Sequence, residues 1–281
     1  MVRGSRVMAL MRGLVVVVAL LAPVGLLAAP PAAAQMGTVK VEFFGHSFFR
    51  FTSPSGKVVL TNPWINGNPS VTVSLDDITQ ADMILVPNGH GDEMGQAAEI
   101  AIKTGAMVIA SGELHRYMTD AGVPTAQVPR FATPGDRYRK DGITVRLLAS
   151  DHGSGVSAPS AAMPYGGQAS SFMVTFENGY TIYHMASSPM RSEMALWGSM
   201  YKPDLMIFHM SSSHEPLDIA MAVKLMMTDN PNLQTLMWHH NVPEPPATGT
   251  TVAEVQSVLG AMGIGIPITN QVRSQVYEFS K

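Results

Sequence analysis

Five short apolar runs in this chain each stop at a turn crowded with histidine, carboxylate, amide or hydroxyl groups. Residues 83–86 (MILV) lead into Asn88-Gly89-His90-Gly91-Asp92-Glu93, and residues 143–148 lead into Asp151-His152-Gly153. Residues 180–183 end at His184, with Ser187-Ser188 beyond. Residues 205–208 end at His209, with His214 in the next loop, and 235–238 end at His239-His240-Asn241. Seven of the nine histidines therefore follow buried-strand patterns. Ligands on turns after apolar strands converge when the strands share one sheet edge, which is where open α/β architectures build sites.

The rest of the chain fits such strands with helices. Residues 39–44, 48–52 and 57–60 are β-branched or aromatic, separated by Gly45-His46-Ser47 and Pro54-Ser55-Gly56, and read as a meander. Helical patterns at 96–103, 113–121, 218–227 and 252–262 alternate with further strands at 107–110 and 171–176. The 252–262 helix is expected to close the chain. A meander followed by two strand–helix series predicts two stacked sheets with helices outside, in one domain over 36–281.

Residues 1–35 are of another kind. Arg3, Arg6 and Arg12 flank an apolar run at 13–27, and a Pro/Ala stretch ends in Ala32-Ala33-Ala34. This is the pattern of a cleaved secretory signal, with Pro23 and Gly25 interrupting a run too short to span a bilayer. Its removal takes three arginines and no acid from a chain of net charge −3, leaving −6. The expected product is periplasmic or secreted, free of the membrane, and without a basic run to hold nucleic acid. Having no cysteine, it draws stability beyond its core from metal, ligand or association.

Twenty-one methionines raise a copper site, since thioethers ligate copper. Most lie in apolar helix and strand patterns, as core filler does. Met185, Met190, Met194 and Met210 stand near the expected site mouth.

The blocks GHSFFRF, LTNPWINGNP, ILVPNGHGDEMGQAAEIAIKTGA, DHGSG, GGQASSF, TIYHMASS, YKPDL, DIAMAVKLM and WHHN resemble, in this order, the metallo-β-lactamase superfamily. They are most similar to its metal-dependent hydrolases around the bacterial ascorbate-phosphate lactonase. The resemblance implies a four-layer αββα sandwich with a metal site along one edge. The family motif H-x-H-x-D-H is met by His90 and Asp92, while Asn88 and Glu93 stand at its first and last histidines. His152 and His239 match two further ligand positions, Ser187 replaces the aspartate that bridges two metals, and Asn62 replaces an aspartate behind them.

The resemblance thus implies metal ligands among Asn88, His90, Asp92, Glu93, His152, Ser187 and His239. Without the bridging carboxylate, one divalent ion is expected rather than two, zinc first and manganese or iron next. Asp92 is the expected general base, and His184 a proton-transfer group. Such a site implies hydrolysis of a small ester, lactone, amide or phosphoester. The alternative is a periplasmic ligand- or metal-binding protein that has lost turnover.

Overall fold

In a computed structural model, Met1 and residues 37–129, 132–157, 163–240 and 249–281 are described here. The expected signal segment 1–35 beyond Met1, Asn241, and part of the mouth segment 154–168 lie outside the described residues. No helix among the described residues is long and apolar enough to cross a membrane.

The chain opens with β1 (Val39–Gly45), β2 (Phe48–Thr52), β3 (Val58–Thr61) and β4 (Met83–Leu85). Helices α1 (Gly91–Met94) and α2 (Ala97–Thr104), strand β5 (Met107–Ile109) and helix α3 (Gly112–Asp120) follow. The second half holds β6 (Arg137–Lys140), β7 (Ile143–Ala149), β8 (Ser170–Thr175), β9 (Thr181–His184) and α4 (Met194–Tyr201). It ends with β10 (Leu205–His209), α5 (Pro216–Met226), β11 (Thr235–His239), α6 (Val252–Ala261) and β12 (Val276–Phe279).

Two six-stranded sheets result, ordered β12-β1-β2-β3-β4-β5 and β11-β10-β9-β8-β7-β6. β3 and β4, inside the first, are buried on both faces and so read as continuous apolar runs rather than as alternation. Val59, Met83, Leu85 and Ile109 point into the core shared with Val145, Phe172 and Ile182 of the second sheet. Their neighbours Leu60, Ile84 and Val108 point outward onto Ile100 and Ala101 of α2 and Leu114 and Met118 of α3. On the other side, Ile219, Val223 and Met226 of α5 and Leu259 of α6 join the second sheet's cluster. This is the four-layer αββα sandwich that the resemblance implied.

Four elements escape the sequence patterns. β6 (RYRK) and β12 (VYEF) are edge strands with alternating exposure, and their polar residues hide a strand signal. β12 pairs antiparallel with β1, so a strand, and not the 252–262 helix, closes the chain. α1 is a single turn. α4 carries Gly198 in its middle, a residue that weakens helices; a Cβ there would overlap the Met226 carbonyl, so glycine is what lets α4 lie against α5.

Candidate metal centre

Strand direction gathers the polar turns. β3, β4 and β5 are parallel, as are β9, β10 and β11, so each set ends at one edge of its sheet. The antiparallel neighbours bring the β1–β2 turn and the end of β7 to the same edges. The His240 N–H donates to the His46 carbonyl at 2.8 Å, tying the edge of one sheet to that of the other. His46, Asn62, Ala186 and His240, all on these turns, have left-handed backbones with φ of 57°, 49°, 50° and 64°. Such conformations cost energy outside glycine and gather at functional sites.

His46 Nε2, Asp92 Oδ2 and His240 Nε2 lie within 4.8 Å of one another. His46 Nε2 is 3.1 Å and His240 Nε2 3.5 Å from the Asp92 oxygen. His240 Nε2 is also 3.3 Å from Glu93 Oε1. Asp92 and Glu93 are adjacent on α1, whose closing Gly95 sits where a Cβ would overlap the Pro63 carbonyl. The Ser187 hydroxyl donates to Glu93 Oε1, and both residues are buried. A carboxylate is therefore present beside Ser187 after all, supplied from position 93.

Two imidazole nitrogens with carboxylate oxygens form a donor set suited to zinc, manganese or iron. Glu93 Oε2 and His239 Nε2 are buried with no partner in the protein, as befits atoms that a cation or its ligands would satisfy. The residues present fit one such ion.

Burial opposes the charge on Asp92, but hydrogen bonds from His240 and His46 outweigh it and hold this carboxyl below the usual range. Burial opposes Glu93 in the same way, and the charge on His240 wins. Burial also pushes His240 down, yet the Glu93 charge and hydrogen bonds to both carboxylates raise it to about 9. Burial, reinforced by the charge on His240, takes His184 down to about 4 and His209 and His239 well below an ordinary histidine. These three are neutral imidazoles in a stack, His239 lying 4.9 Å from His184 and 5.3 Å from His209 between ring centres.

The expected site residues separate into groups. Asp92 and Glu93 join the cluster directly, and Ser187 joins it through Glu93. His90 and His152 pair with each other, ring centres 5.0 Å apart. His239 lies behind His240, their Nδ1 atoms 2.6 Å apart. The Asn88 side-chain oxygen accepts from the His90 N–H at 3.0 Å, closing a local turn. His184 is fully buried, accepts from the Ala186 N–H at 3.2 Å and lies 3.5 Å from Thr61 Oγ1, so it props the Ala186 turn and does not reach the cavity.

Sequence reasoning missed His46 and left His240 open. A histidine in the β1–β2 turn follows no ligand spacing, although the Gly-His-Ser turn before an aromatic strand was visible. A cavity of about 390 Å³ opens beside the cluster, bounded by Asp92, His152, Ser187, His209, His214 and His240.

A profile of the β-lactamase superfamily domain matches residues 40–229. A UPF0173 metal-dependent hydrolase of Rubrobacter xylanophilus is 30% identical over 194 residues, covering 68% of this chain and 79% of that protein. One from Cupriavidus taiwanensis is 31% identical over 255 residues, covering 83% and 87%. Among solved structures, Igni18, a metallo hydrolase of Ignicoccus hospitalis, superposes with a TM-score of 0.72 at 22% identity, covering 87% of this chain and 99% of its own. An isothiocyanate hydrolase from Delia radicum gut bacteria gives 0.63 at 17% identity, covering 86% and 100%. Both share the fold. The chain belongs to the β-lactamase superfamily, among its UPF0173 metal-dependent hydrolases.

Proposed function

We propose that this chain is an exported hydrolase of a small ester, lactone, amide or phosphoester. In this reading it uses one divalent ion, zinc before manganese or iron, held by His46, Asp92 and His240 with Glu93 beside them. The convergence of the three donor atoms within 4.8 Å carries the reading. When bound, the ion supplies Lewis acidity toward the scissile bond and acidifies a water near neutral pH. Asp92, with a third of its side chain open, helps hold the ion and accepts a hydrogen bond from the attacking water. His46 and His240 reach Asp92 Oδ2 through Nε2, the same atoms that would hold the ion, so the three groups already point at one place. Ser187 holds Glu93 in place by donating to it. His152 and His214, on the cavity wall, would hydrogen-bond the leaving group.

Elemental analysis of the purified protein, beside His46→Ala, His240→Ala and His115→Ala, tests the site. About one equivalent of metal is expected in the parent and in His115→Ala, and little in the other two. No uptake of zinc or manganese by the folded parent, or full retention in both cluster variants, would overturn it. Export is tested by expressing the full chain in a bacterial host and weighing the product: loss of residues 1–35 in the periplasmic fraction is expected.

A binding protein without turnover is the second reading, favoured by the departures from the motif at Asn88, Glu93, Ser187 and Asn62. It predicts metal retention with no activity on any ester, lactone, amide or phosphoester tried.

A further inference from the structure

Beside the metal-centre cavity lies a second, smaller recess of about 120 Å³. His209, His214 and Pro189 line both spaces, so the two are contiguous. The far wall of the recess is largely apolar, made by Met185, Met190 and Ile219, with Asp218 the one carboxylate in its lining. An apolar cavity near this size holds about six carbon atoms, as a benzene-binding one of roughly 150 Å³ does. Methionine walls adapt to differently shaped apolar groups.

The polar groups at the junction are two imidazoles, with the Asp218 carboxylate beside them. The His214 Nδ1 is taken by the Ser211 hydroxyl at 2.7 Å, and the His214 ring lies 4.3 Å from that of His209. His209 Nδ1 is buried without a protein partner. Among the described residues neither space is lined by Lys or Arg, while Asp92 and Asp151 line the larger one and Asp218 the smaller. Arg191, the cation at the rim, is only 15% exposed and is held by Asp151 and Glu193. His240 is committed to Asp92 and Glu93. A phosphate would meet Asp92, Asp151 and Asp218 and, among the described lining residues, no arginine or lysine, leaving the ion and His240 as its cationic partners.

Resting on the hydrolase reading above, we infer that the substrate is a neutral carbonyl compound, an ester, lactone or amide. It carries a compact apolar group of about four to six carbons that seats against Met185, Met190 and Ile219. Its carbonyl lies toward the cluster, within reach of His209 and His214. Hydrolysis adds water across the acyl bond, the hydroxyl joining the carbonyl carbon and the proton going to the leaving oxygen or nitrogen.

The test uses zinc-loaded protein on p-nitrophenyl acetate, butyrate and hexanoate and on p-nitrophenyl phosphate, with Met190→Trp as the variant. Met190 is 40% exposed at the rim, so the larger side chain fills the recess without entering the core. Butyrate is expected to exceed acetate by about tenfold in kcat/KM, from two more buried methylenes. Met190→Trp should abolish that preference, and the phosphate should not be cleaved. A second readout is the non-hydrolysable 2-hexanone, titrated while the methyl NMR signals of Met185 and Met190 are followed; saturable shifts are expected, lost for Met185 in Met190→Trp. Esters cleaved without chain-length preference, or phosphate cleaved faster, would overturn the recess and leave the hydrolase standing. No ester turnover with 2-hexanone still moving both signals would overturn the hydrolase and support the recess; silence in both would overturn both.

Discussion

Replacing Ser187 by Asp puts a second carboxylate against Glu93. The resemblance implies aspartate at position 187 and histidine at 93, whereas this chain has serine and glutamate, and the two side chains touch in a buried contact. Two carboxylates at hydrogen-bonding distance, about 3 Å, repel by about 5 kcal/mol at an effective dielectric near 20. Taking up a proton at pH 7 instead costs about 4 kcal/mol, the gap between pH 7 and an ordinary carboxyl at about 1.4 kcal/mol per pH unit. The cheaper route wins. His240, already protonated through a pKa raised to about 9, has no further charge to offer.

Metal-stripped Ser187→Asp should therefore lose about 4 kcal/mol at pH 7, or on the order of 10 °C in Tm. The pair's folded-state pKa is raised, so its penalty grows with pH above the unfolded value and shrinks on acidification. Urea unfolding followed by tryptophan fluorescence should recover about 1.4 kcal/mol for each pH unit between 7 and 5. Adding Glu93→His should restore most of the loss, because it removes the second carboxylate. A Ser187→Asp protein within about 1 kcal/mol of the parent at pH 7, and flat down to pH 5, would refute the exchange of carboxylate between the two positions.

Three further outcomes follow from the same geometry. In metal-stripped protein the raised pKa of His240 adds roughly 3 kcal/mol of stability, fully present below pH about 6.5 and lost as pH rises through about 9. Asp92 and Glu93, held low, contribute above pH about 4 and fail below it; urea titrations of His240→Gln should show the alkaline loss gone. Asn88→Ala should cost about 1 kcal/mol through its lost turn bond while leaving metal content by elemental analysis unchanged. Gly198→Ala should destabilise by about 1–3 kcal/mol in thermal unfolding, although alanine favours helices, because its Cβ would meet the Met226 carbonyl.

The layered fold was legible in the chain because its signals are local. The runs at 83–86 and 205–208 are apolar throughout, as strands buried on both faces must be, and the amphipathic stretches at 96–103 and 113–121 match α2 and α3. The edge strands β6 and β12 were not, since what makes them strands is their pairing with β7 and β1.

The site divides along the same line. Sequence alone determined that polar turns follow the parallel strands, that Asp92 is among them, and that positions 88, 93, 187 and 62 depart from the family motif. Only the tertiary structure decided which of those groups meet. Asn88 and His184 turned inward to satisfy backbone N–H groups, each a choice set by the local turn. His46, which lies 194 positions before His240, came to it because the sheets stack and the His240 N–H bonds the His46 carbonyl. A ligand set is a relation between distant turns at a distance of a few ångströms, and periodicity along the chain carries no information at that scale until the layers are packed.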